Sequence, residues 1–161
     1  MKKNRPDRHI DHTVSQTNLT EAIEVAAKAI DDRNKRHGHQ CLISQINLGN
    51  FAEKLKAKEL QIKSVKSFDD LMTIVESEKS EGIGELTIYD TATRIGAYLN
   101  LFPDRVYLHS GTRKGARNLL GRLNGRKHLT IGDFPFEIQR HGLTASEIED
   151  ILCIFKDNFK N

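Results

Sequence analysis

The stretch from residue 82 to residue 103 restricts the fold more than any other part of the chain. Gly82-Ile83-Gly84 form a tight turn. Leu86, Ile88, Tyr89, Ala92, Ile95, Gly96 and Leu99 then recur so that they cover most sides of a helix. Pro103 closes the segment, because the residue before a proline avoids the helical region. A helix apolar on several sides has to be a central element on which others pack. Among its polar positions, Asp90 and Arg94 stand four apart with the acid toward the N-terminus, the favourable order for a pair along one helix face.

Around this centre the sequence predicts further helices from their caps and periods. Asn18 with Glu21 matches a capping box. Leu19, Ile23, Ala26, Ala27 and Ile30 form a stripe behind it, and Lys35, Arg36 and Gly38 suit a C-terminus, which predicts a helix near 19–36. Residues 42–48 fit a short helix or a strand, and Asn50 caps a helix over 51–58, giving helix, break, helix. Ser67 opens a helix over 68–78. Ser110 or Thr112 caps a basic helix that runs to Gly121, and 121–135 reads as an exposed irregular loop. Thr144 and Glu147 form a capping box ahead of Ile148, Ile151, Leu152 and Phe155. Val106–Leu108 could make a short strand, expected to lack partners. The expected fold is mainly α, a single compact helical domain over 18–161 with about seven or eight helices, behind a flexible polar leader at 1–17.

The 161 residues suffice for a real core, and with 37% hydrophobic residues, 6% aromatics and no Trp that core is aliphatic. No apolar run approaches the roughly 18 residues that would cross a bilayer, so no membrane partner is expected. The basic N-terminal residues have no apolar segment behind them, unlike a secretory signal. Cys41 and Cys153 are too few and too distant for a disulfide framework, and reduced thiols in a cytoplasmic protein are the expectation.

Charge is more informative than composition. Between Arg105 and Gly132 lie Arg105, Arg113, Lys114, Arg117, Arg122, Arg126 and Lys127 with no Asp or Glu, which leaves −4 on the rest of a chain whose net charge is +3. One concentrated cationic segment on an otherwise mildly acidic chain is an electrostatic footprint for a polyanion. Two helix entrances with small residues beside them are suited to holding phosphate. These are Gly82-Ile83-Gly84 and the segment Ser110, Gly111, Thr112, Arg113, Lys114 and Arg117.

Other candidate chemistry is thinner. His37-x-His39-x-Cys41 places three soft ligands within five residues, but tetrahedral zinc sites need four, usually as two separated pairs. It reads as a helix-end loop, and no metal or cofactor is expected. Tyr89, Asp90 and His109 are the catalytic candidates near the two turns. No Gly-x-Ser-x-Gly elbow occurs, and Gly111–Gly115 lacks the Gly-Lys-Ser/Thr ending of a Walker loop. The reaction, if any, and the oligomeric state are not legible.

Helix 68–78, the Gly82-Ile83-Gly84 turn and helix 86–99 together resemble a helix-hairpin-helix motif, as in base-excision DNA glycosylases and other DNA-repair proteins. The resemblance implies a turn whose backbone N–H groups meet a DNA phosphate, with Ile83 anchoring the two helices. It covers about thirty residues, with Glu81 where the family often has proline, and it carries over no catalytic aspartate. The function expected is DNA binding through the phosphate backbone, largely without sequence specificity. The alternatives are a small enzyme acting on a nucleotide or other phosphorylated substrate, and a module binding an acidic protein.

Overall fold

The computed structural model describes residues 7–159. Within them the chain is mainly helical, with nine α-helices and a sheet of two strands. It divides into two compact units, Met1–Phe102 and Pro103–Asn161, where the sequence predicts one domain.

The first unit contains α1 (Arg8–Val14), α2 (Leu19–Lys28), α3 (Gln45–Ala57), α4 (Glu59–Ser64), α5 (Phe68–Ser77) and α6 (Glu85–Leu99). Helix α6 is its centre, as its apolar circumference predicts: α1, α2 and α5 all pack against it, and α3 packs against α2. Ile23, Phe51, Leu55, Leu71 and Ile95 are fully buried. Each such side chain stabilises the fold by about 1.5–3 kcal/mol relative to exposure.

Several expectations need correction here. The leader expected over 1–17 lies outside the described residues for 1–6, but Arg8–Val14 form a helix, capped by Asp7 and anchored by the buried Thr13. Helix α2 stops at Lys28, eight residues before the predicted end, because Ala29 turns left-handed with φ of 56°. The chain then doubles back through an isolated antiparallel bridge, Ile30 to Arg36. The buried Asp31 carboxylate holds this turn by accepting from the N–H groups of Arg33 (2.9 Å) and Lys35 (2.8 Å). Gly49 and Asn50 do not break a helix. Ser44 caps α3, and it runs straight through them, burying Leu48, Phe51 and Ala52 on one side.

The second unit contains β1 (Val106–Tyr107), α7 (Ser110–Leu120), β2 (His128–Leu129), α8 (Phe136–Gln139) and α9 (Ala145–Ile154). The strand expected to be alone has a partner: Val106 pairs with Leu129 and Tyr107 with His128, antiparallel. The predicted loop over 121–135 therefore contains a strand, which places Leu129 in a core with Val106, Leu108, Ala116, Ile148 and Leu152. Helices α7 and α9 pack closely, and Gly115 permits the approach. A Cβ at that position would run into the backbone carbonyl of Leu152.

Candidate functional site

In the first unit the Gly82–Gly84 turn joins α5 to α6. Gly82 (φ +78°) and Gly84 are exposed, whereas Ile83 is 2% exposed and its N–H donates to Ser80 O at 3.1 Å. No side chain caps α6, so its first N–H groups lack an intrahelical acceptor. The exposed Glu81 and Glu85 flank the same turn, however, and Glu85 already satisfies the positive end of the helix dipole.

In the second unit the N-cap of α7 is His109, not Ser110 or Thr112, and it makes no side-chain cap bond. Thr112 turns inward: it is fully buried, and its hydroxyl donates to Glu149 Oε1 at 2.6 Å. That corrects its expected role on a phosphate. His109 is buried as well, in close contact through Nε2 with the same carboxylate oxygen and 2.8 Å from Thr112 Oγ1. Nε2 thus stands between Thr112 Oγ1 and Glu149 Oε1, and the carboxylate oxygen is shared by the hydroxyl and the imidazole. The Cys153 thiol lies nearby, within 4.8 Å of the ligand atoms of His109 and Glu149. Sequence reasoning missed Glu149, although a signal existed. Ala145, Ile148, Glu149 and Leu152 form the buried stripe of α9, so an acid stood at an apolar position.

The outward side of α7 is different. Ser110, Lys114 and Arg117 are exposed and Arg113 is half-buried, a spacing of three, four and seven that puts all four on one helix face. Lys114 meets Asp157 at 2.5 Å, an exposed pair of little energetic weight. Arg105 pairs with Asp104 and Arg126 with Asp133. Arg117 and Arg122 have no carboxylate partner among the described residues. Gly111, half-buried, supplies backbone rather than side chain to this entrance.

The catalytic candidates divide between the units. Tyr89 is a core residue, 5% exposed, its ring edge-on to Phe68 with centroids 6.3 Å apart. Asp90 belongs to a polar cluster of the first unit. Its Oδ2 accepts from Gln40 Nε2 at 2.7 Å and lies 3.6 Å from His39 Nδ1 and 3.8 Å from the Arg94 guanidinium. Arg94, itself buried, donates to Ala26 O at 3.2 Å and to Gln40 Oε1 at 3.3 Å. Burial alone would raise the Asp90 pKa, but His39, Arg94 and Gln40 outweigh it and hold the carboxyl below its ordinary value. Burial, followed by the charge of Arg94, pushes the His37 ring below its usual range. Gln40 was invisible as a site residue in the sequence, since nothing local distinguishes a buried glutamine from a solvated one.

Comparison with protein-family models, curated proteins and solved structures finds no match. No helix among the described residues is long and apolar enough to cross a membrane.

Proposed function

We propose that the second unit binds the phosphate backbone of DNA at the entrance of α7, without reading base sequence. One observation carries this reading. Among the described α-helices, α7 alone opens with neither a side-chain cap nor an acidic residue in its first turn. It places Arg113 and Lys114 there instead. Cations at the positive end of a helix dipole work against the helix, and an anion bound there relieves this. Uncapped N–H groups with arginine alongside are the donor set that phosphate accepts from. The exposed pair Lys114–Asp157 opens at small cost to free a further cation.

The Gly82–Gly84 turn supports the same chemistry in the first unit through its exposed glycines and the uncapped start of α6, as the helix-hairpin-helix reading requires. Its acidic neighbours make it the weaker contact. Contacts of this kind position a nucleic acid and carry no base information.

The test is fluorescence anisotropy of a labelled DNA duplex across a salt series. Affinity falls steeply with salt, and replacing both Lys114 and Arg117 by Ala lowers the log–log slope by about one to two. Absence of binding at low salt, or an affinity that ignores salt, overturns the reading.

A further inference from the structure

We propose that His37, His39 and Asp90 of the first unit form a binding site for a divalent transition-metal ion with open coordination positions facing solvent. The sequence offered His37, His39 and Cys41 as a set and gave no fourth ligand. Folding replaces the thiol with the carboxylate of Asp90, about fifty residues further on. Cys41 Sγ points back to Gly38 O at 3.0 Å, while Asp90 approaches from α6.

The geometry carries the proposal. One ligand atom from each of the three side chains lies within 4.8 Å of the others, and His39 Nδ1 is 3.6 Å from Asp90 Oδ2. Ligand bonds of about 2.0–2.2 Å in a tetrahedral shell separate donor atoms by roughly 3.4 Å. That pair therefore already stands near the edge length of such a shell, and the remaining ring, within 4.8 Å, needs a shift of at most about 1.4 Å. Two imidazoles and one carboxylate select zinc, cobalt, nickel or copper over magnesium and calcium, which take oxygen ligands.

The surroundings hold the ligands as metal sites require. Gln40 and Arg94 orient Asp90 from one side. The two histidines sit on a 3-10 turn over Gly38–Gln40 whose start is fixed by His37 N–H donating to Ala29 O at 2.8 Å. The His39 side chain is half exposed, so an ion has a path in. Two features oppose binding. His37 Nδ1 accepts the His39 N–H at 3.3 Å, a long bond that has to yield if the ring is to turn. The Arg94 charge offsets that of Asp90, so the affinity is moderate.

The full chain, freed of metal with a chelator and dialysed, is titrated with Zn2+ against a chromophoric competitor, and separately with Co2+ while its absorption is followed. Binding of one ion per chain is expected, with cobalt ligand-field bands and no thiolate charge-transfer band. His39→Ala, at an exposed position that leaves folding intact by circular dichroism, and Asp90→Asn each weaken binding about tenfold or more. Cys41→Ser and Cys153→Ala leave it unchanged. No binding, binding indifferent to His39→Ala and Asp90→Asn, or a thiolate band lost with either cysteine overturns the proposal.

Discussion

Gly115 shows how much a single position can decide. A methyl group there would meet the backbone of Leu152, which cannot swing aside as a side chain can. Gly115→Ala should therefore destabilise the second unit by about 3 kcal/mol or more, the upper end of the range for overpacking, measured by urea denaturation. The turn glycines behave oppositely to each other. Gly84 has a negative φ and nothing within 4 Å of the place a methyl would take, so Gly84→Ala stays within about 0.5 kcal/mol. Gly82, at φ +78° with Asn47 Nδ2 2.8 Å from where a methyl would sit, loses about 1 kcal/mol or more on the same change. A Gly84→Ala protein that folds normally but binds DNA less tightly would identify that glycine's value as room for a phosphate. At this scale the sequence was legible wherever a residue acts through its own neighbours. The Asp90–Arg94 pair is an example. It was silent where the partner is remote: Gln40 meets Asp90 fifty positions away, and Thr112 meets Glu149 thirty-seven away.

Among elements, caps made the helices readable and their failures mark where tertiary contacts prevailed. Thr144 and Glu147 form the predicted capping box on α9, and Ser67 caps α5 as expected. Replacing Thr144 by Ala removes an acceptor for the Glu147 N–H and should lower stability by about 1 kcal/mol in thermal unfolding. Asn50 looked like a cap equally well, yet the burial of Leu48 and Phe51 on the same side drew both into one helix. The β1–β2 pair was unreadable because neither two-residue strand has a period to detect. Helix α7 offers the most telling element-level prediction. Ser110→Asp puts a carboxylate at an exposed first-turn position and should stabilise α7 by about 0.3–1 kcal/mol through the dipole. On the proposed reading the same substitution weakens DNA binding, because the new charge would occupy the place of a phosphate. Stability and affinity moving in opposite directions is the expected outcome. A joint rise would remove the α7 entrance from the binding surface.

Over the molecule as a whole, the carboxylates decide how the fold responds to acid, and both units contribute. Lys35 and Arg33, through their backbone N–H groups above all, hold Asp31 at about 2, down from 3.8. Arg126, with help from Thr130, keeps Asp133 far below its ordinary value. Glu147 and Asp157 are lowered by Thr144 and Lys114 respectively. Each of these groups has a folded pKa below its unfolded one. Its stabilisation is therefore complete above the unfolded value, near 4, and is lost as pH falls through the folded value. His37 acts in the same direction at higher pH. Its ring takes up a proton more readily unfolded than folded, so stability starts to decline below the ordinary 6.5. Thermal midpoints measured at constant ionic strength should thus fall gently from pH 7 to 5 and steeply from about 4 to 2. Asp31→Asn should flatten the steep part, since the side chain that has to be protonated there is gone, while its amide oxygen still accepts an N–H of the 31–35 turn. A steep limb unchanged in that variant would mean that the turn is already open at the temperature where the protein melts.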